Sequence, residues 1–245
     1  MSFNLNLITD IPKLEQINLE SGRVYLAEDG SIPEPGYPSV TTVLGADKSK
    51  NEGLQKWRDR VGEEEANRIS FMATSRGTAV HQILEDWILG QEPITKPMPV
   101  HVETANGLKQ LVSPHLGEVR MVEGQLFSHH LRTAGTVDLV AEFDGEMAII
   151  DWKTSNWPKK RDQINNYFMQ ESAYAVMFEE RTGIPVTKLV TLVAYKDGTQ
   201  MFVEKRDDWI DGFLKLREMY DTQLQSSVQT ENGTSDGVSD SRSVL

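Results

Sequence analysis

Asp138, Asp151 and Lys153 have the types and spacing to handle a phosphate or a metal ion. The segment Gly135-Thr136-Val137-Asp138-Leu139-Val140-Ala141-Glu142-Phe143 is followed by Asp144-Gly145 and then by Glu146-Met147-Ala148-Ile149-Ile150-Asp151-Trp152-Lys153-Thr154. Asp-Gly between two apolar-rich runs predicts a two-residue hairpin turn. Pairing Phe143 with Glu146 sets Asp138 opposite Asp151, with Cβ atoms roughly 5 Å apart. Side chains alternate along a strand, so Lys153 shares the face of Asp151. Repulsion between the two carboxylates would cost roughly 3 kcal/mol at an effective dielectric of 20. Ile149 and Ile150 make the second strand apolar on both faces, the pattern of a buried strand. Carboxylates there must be paired or metal-bound. Lys153 is one compensating cation and a divalent metal is the other.

Further groups could join them. His81 and Glu85 stand four apart on a helical stretch and so share a face. Glu123, in Met121-Val122-Glu123-Gly124-Gln125, is an outer support for a metal or a solvent-facing strand residue. Gln170 and Tyr174 are spaced i, i+4 among apolar residues, where a buried amide needs partners. Lys159, Lys160 and Arg161 form the one concentrated basic run. Beside the carboxylate pair it is placed for phosphate contact, and Trp157 next to it could stack on a base or pack internally.

The elements that must position these residues follow from periodicity and turn signals. A β-rich segment covers 1–48, with strands expected in Arg23–Leu44. A helical region covers 49–116: a helix from Glu52 to Met72 broken near Gly62, a second from Ser75 to Leu89 stopped by Gly90, and a third from Val100 to Leu116. The region 117–224 holds strands at Val119–Ser128, Leu131–Phe143 and Glu146–Thr154, and a helix at Asp162–Arg181. It continues with strands at Lys188–Tyr195 and Gln200–Lys205 around Asp197-Gly198, and a helix at Asp208–Leu224. Residues 225–245 are polar, Ser/Thr/Asn/Gly-rich and expected to be disordered. This order predicts an α/β fold with a central mixed sheet flanked by helices.

Composition narrows the chemistry. The 245 residues contain no cysteine, which excludes disulfides, thiolate zinc sites and cysteine nucleophiles. His and carboxylate ligands suit hard ions such as Mg²⁺ or Mn²⁺. A net charge of −12 argues against a nonspecific nucleic-acid coat but not against an enzyme with a local basic patch. The N-terminus reads as neither signal nor transit peptide and no apolar run is long enough for a membrane span, so a cytoplasmic location is expected.

Together these residues resemble the PD-(D/E)XK nuclease superfamily, specifically its RecB-type exonuclease branch, which includes tailed-phage exonucleases and their mitochondrial relatives. The resemblance rests on Gly77-Thr78-Ala79-Val80-His81, Gly135-Thr136-Val137-Asp138, Ile149-Ile150-Asp151-Trp152-Lys153-Thr154 and Gln170-Glu171-Ser172-Ala173-Tyr174, in that order. Tyr37-Pro38-Ser39-Val40-Thr41-Thr42-Val43-Leu44 also looks like the phage proteins. The chain departs from the pattern in having Val137 before the first Asp and Asp rather than Glu as the second acid. The resemblance implies a restriction-endonuclease-like core and cleavage of DNA, expected at single-stranded ends, in replication, recombination or repair. It implies Mg²⁺ or Mn²⁺ held by His81, Asp138, Asp151 and the Trp152 backbone carbonyl, with Lys153 stabilising charge and Gln170 and Tyr174 positioning DNA or the lysine. Replication or recombination proteins are expected partners. A nicking endonuclease on the same fold, or a DNA-binding subunit without activity, are the alternative readings.

Overall fold

The computed structural model describes residues 3–233. Strands β1 (Leu14–Leu19), β2 (Gly22–Ala27) and β3 (Tyr37–Pro38) form a small antiparallel sheet. Helix α1 (Val40–Leu44) follows, where the sequence suggests continued strand. Ser39 explains the switch: its hydroxyl accepts the Thr42 N–H and caps the first turn. Helices α2 (Lys48–Val61) and α3 (Glu63–Leu89) are separated by Gly62, whose φ is +88°. Three glutamates in the first turn of α3 complement its dipole, and left-handed Gly90 ends it. α3 is one continuous helix of 27 residues, roughly 40 Å long, with no break between Met72 and Ser75. Helix α4 (Pro99–Val112) completes the helical region and stops short of Leu116, which begins the next strand.

The main sheet has five strands in the order β4 (Leu116–Ser128), β5 (Thr133–Phe143), β6 (Glu146–Thr154), β7 (Lys188–Tyr195) and β8 (Gly198–Lys205). β6 and β7 are parallel and the other neighbours antiparallel. A parallel pair needs a long connection, and helix α5 (Asn165–Thr182) supplies it. The β7–β8 turn is Lys196-Asp197, because Gly198 already pairs with Tyr195. Helix α6 (Ile210–Gly233) runs nine residues past Leu224, so the expected disordered tail does not begin at Gln225. The rest of that tail, 234–245, lies outside the described residues.

Apolar cores cover both faces of this mixed sheet. One face packs Val137, Val140 and Ile149 against α1, α5 and α6. The other packs Leu139, Ile150 and Leu192 against α3 and α4. The architecture is therefore a restriction-endonuclease-like α/β core with an N-terminal three-stranded addition. Among the described residues, no helix is long and apolar enough to cross a membrane.

Candidate active site at a fork in the sheet

The Asp144-Gly145 turn forms as its residue types dictate, with φ of +52° and +78° at its two central positions. β5 and β6 pair from Phe143↔Glu146 to Leu139↔Ile150 and no further. Beyond that point β5 stays with β4 to Thr133, while β6 stays with β7 to Thr154. The sheet forks, and Asp138 and Asp151 stand at the crotch. The Trp152 N–H, freed from the ladder, donates to Asp138 Oδ2 at 2.9 Å. Both carboxylates are buried on the α5 face, and Lys153 follows there with its ammonium against Asp151 Oδ2.

The fork lets the opposite face take part. His81 comes from α3, whose neighbours Val80, Ile83 and Leu84 belong to the other core. Its Nε2 lies 2.9 Å from the Trp152 carbonyl oxygen. Its Nδ1 lies 3.4 Å from Glu123 Oε1 and 3.6 Å from Asp138 Oδ1. Glu123 reaches inward from β4 through a left-handed backbone, φ +45°, a conformation costly for a residue with a side chain. Met121 folds under this kink, in space that any Cβ on Gly124 would fill. His81, Glu123 and Asp138 offer ligand atoms all within 4.8 Å of one another.

Helix α5 lays a second row over the fork. Tyr167, Glu171 and Tyr174 are spaced i, i+4, i+7 and share one face. The Lys153 ammonium sits 5.1 Å from the centre of the Tyr167 ring. Gln170 stands one turn before Tyr174, and its amide near the phenol opposes the rise that burial imposes on the Tyr174 hydroxyl. Tyr174 packs over Gly135, where an added Cβ would lie 2.9 Å from its ring. Glu171 is fully buried; its Oε1 accepts the Thr191 hydroxyl and its Oε2 has no hydrogen-bond partner. Thr191 is the β7 partner of Asp151, so Glu171 stands directly behind the acidic row. Sequence reading passes over Glu171 within the Gln170–Tyr174 element; the signal available was a charged residue on an otherwise apolar helix face.

The electrostatics follow from crowding three carboxylates around few cations. Burial pushes the Asp151 carboxyl up to about 6 against the opposing pull of Lys153. Burial also raises Asp138, opposed by His81 and Lys153. For His81, burial would lower the imidazole, but the Glu123 hydrogen bond and the Asp138 and Asp151 charges outweigh it and raise it to about 9. Burial likewise opposes charge on Lys153, yet Asp151 and Asp138 hold its ammonium well above the usual range. Burial and the Asp151 charge raise Glu171 far above an ordinary carboxyl.

A hard divalent ion fits this set. Bond lengths of 2.0–2.1 Å place ligand atoms ~3 to ~4 Å apart around such an ion, close to the separations found here. The donors are one imidazole, carboxylates and a backbone carbonyl, and the buried negative charge exceeds what Lys153 alone compensates. Glu85 lies one turn beyond His81, where it accepts from Gln82 at 3.1 Å; burial and the Glu123 charge raise its carboxyl.

The basic run divides. The Arg161 guanidinium is engaged by Glu204 at 2.5 and 2.6 Å and lies over Trp209 and Phe168. Both backbone polar groups of Lys159 are held by the Gln200 amide. Lys160 is exposed, and so is Trp157, at 71%.

Known proteins share this arrangement of sequence. Residues 91–232 match the family model of the PD-(D/E)XK nuclease superfamily. The chain is 30% identical over 200 residues to mitochondrial genome maintenance exonuclease 1 of Xenopus tropicalis, covering 74% of this chain and 56% of that protein. It is 28% identical over 210 residues to the Mus musculus protein of the same name, covering 78% and 61%. The Homo sapiens protein is 27% identical over 212 residues, covering 78% and 60%. This chain thus spans roughly three-fifths of the relatives' length. Nucleases of this superfamily generally use divalent metals, in keeping with the donor set at the fork. The match runs through the fork strands and through α5, the elements that carry Asp138, Asp151, Lys153 and Gln170, and on this evidence the chain belongs to the PD-(D/E)XK nuclease superfamily.

Proposed function

We propose that this nuclease is a Mg²⁺- or Mn²⁺-dependent exonuclease that hydrolyses phosphodiester bonds from single-stranded DNA ends. The observation that carries the reading is the fork, where groups from both faces of the sheet converge beside the Lys153 ammonium. His81, Asp138, Asp151 and the Trp152 carbonyl would hold the ion. Glu123 joins them as a ligand on its proximity to His81 and Asp138, and Glu85 supports it from behind. When bound, the ion supplies Lewis-acid polarisation of the phosphoryl group and lowers the pKa of water.

The remaining work falls to fixed groups of the chain. Lys153, held between Asp151 and the Tyr167 ring, is a preorganised cation for charge developing on the phosphate. Gln170 and Tyr174 hold β5 and α5 together over Gly135 and thereby set the height of the lysine row. Helix α3 borders the fork through His81, α2 and α4 pack against α3, and we assign these helices the guiding of the strand toward the fork. Lys159 and Lys160 add phosphate contacts, so binding should weaken with salt despite the acidic overall charge. Replication or recombination proteins are the partners we expect for such an activity.

The test is end-labelled linear single-stranded DNA beside a covalently closed single-stranded circle, each with Mg²⁺, Mn²⁺ or EDTA. Metal-dependent shortening of the linear strand with the circle intact is the expected result. A linearised circle would replace the exonuclease reading with an endonuclease. DNA held but uncut under every condition would replace it with a binding subunit.

A further inference from the structure

A groove of about 740 Å³ opens at the end of β6, immediately past Lys153. Thr154, Ser155, Asn156 and Trp157 form one wall, Arg76 of α3 another, and Tyr195 at the end of β7 with Lys196 of the β7–β8 turn a third. Its volume lies in the range of small-ligand sites, and it begins beside the fork instead of on a remote face.

The groove carries two features that its folding role leaves unused. Arg76 donates from Nη1 to Asn156 Oδ1 at 2.9 Å, yet its Nε is buried with no hydrogen-bond partner. Among the described residues no carboxylate pairs with it. The buried Nε is out of a ligand's reach, but the half-buried guanidinium as a whole is anchored by one amide and neutralised by no carboxylate, which leaves its terminal nitrogens for an anionic oxygen. Trp157 is the second feature: its backbone N–H is tied to Ser155 Oγ at 3.3 Å while the residue is 71% exposed. An aromatic face of this kind stacks any nucleobase. Glu103 and Asp197 also line the groove and are exposed, so a free polyanion gains little there, whereas a single nucleotide presented by a bound strand meets both Arg76 and Trp157.

We infer that this groove is a nucleotide subsite for the strand being cut, in which Arg76 takes a backbone phosphate next to the scissile one and Trp157 stacks that nucleotide's base. The inference rests on the nuclease reading above and adds a specificity element to it: single-stranded DNA, with the base unstacked from any partner.

The test uses the full chain carrying Lys153→Ala, so that DNA survives, in Mg²⁺. Fluorescence anisotropy of a labelled oligothymidylate gives affinity, and oligonucleotides with one abasic residue at successive positions locate the stacked base. Arg76→Ala and Trp157→Ala should each weaken binding about 10-fold, and Trp157→Phe, which keeps an aromatic face, should lose less. One abasic position should weaken binding to the parent and have no effect in Trp157→Ala. Parental affinity in both alanine variants, or an abasic penalty unchanged by Trp157→Ala, would overturn the subsite while wild-type cleavage upholds the nuclease. Absence of both cleavage by the wild type and binding by the Lys153→Ala parent would overturn the nuclease reading itself.

Discussion

Replacing Glu171 by glutamine should stabilise the metal-free protein, and the gain should grow with pH. Glu171 has no accessible surface, no cation in hydrogen-bond contact, and one oxygen without a partner. Burial, and then the charge of Asp151, push its carboxyl well above the ordinary range. The folded protein therefore keeps this proton at pH values where the unfolded chain, with a carboxyl pKa of about 4.3, has lost it. A folded state that binds more protons loses stability as pH rises. The loss is about 1.4 kcal/mol per unit between the unfolded pKa and the raised folded one. Glutamine has nearly the same shape, does not titrate, and can bond the Thr191 hydroxyl through its amide. Above about pH 5 the advantage of the variant should widen by up to about 1.4 kcal/mol for each unit of pH until the raised carboxyl itself ionises. For a chain of this length that corresponds to roughly 3–6 °C in Tm per pH unit. Thermal unfolding of both proteins in EDTA, at half-unit steps of pH, measures it. Parallel profiles would refute the reasoning, because they would mean that Glu171 is ionised and compensated in the folded state.

Three further outcomes follow from the fork. His81 is held protonated up to about pH 9 in the metal-free protein, and a ligand imidazole must give up that proton, so Mn²⁺ affinity by calorimetry should rise up to about tenfold per pH unit between about 7 and about 9; a flat profile would contradict His81 as a ligand. Glu123→Gln should weaken Mg²⁺ or Mn²⁺ binding by about 10- to 100-fold with little change in the metal-free fold, and unchanged affinity would return Glu123 to a purely structural position. Gly135→Ala places a Cβ 2.9 Å from Tyr174 Cε1 and 3.0 Å from its hydroxyl; it should cost about 1–3 kcal/mol in urea unfolding and reduce cleavage, and a neutral result would mean that Tyr174 moves aside freely.

What the sequence made legible was local. The Asp-Gly turn and the pairing of Phe143 with Glu146 follow from residue type, and the structure shows that register. The same arithmetic sets Asp138 and Asp151 in direct pairing, yet the ladder ends one step earlier. That divergence is decided by β4 and β7 each holding their own strand, a nonlocal competition that no hairpin pattern records. His81 looked like an ordinary helical histidine beside Glu85, because only the fork lets a residue from the α3 face touch groups on the α5 face. Glu123 could be read either way from a strand pattern; its left-handed backbone appears only in three dimensions. Arg161 belonged to the conspicuous basic run, but Glu204, 43 residues later, engages it. Arg76 had no local signal, since its neighbour Asn156 is 80 residues distant.

The most direct test of the central claim is cleavage of a linear single-stranded oligonucleotide as a function of added Mg²⁺ or Mn²⁺, in wild type and in Asp151→Ala and Lys153→Ala. The account predicts that wild-type activity rises from nothing in EDTA to saturation, and that both variants are inactive at every metal concentration while remaining folded in the ion. Cleavage that persists in EDTA, or in either variant at saturating metal, would contradict the assignment of the fork as the catalytic centre.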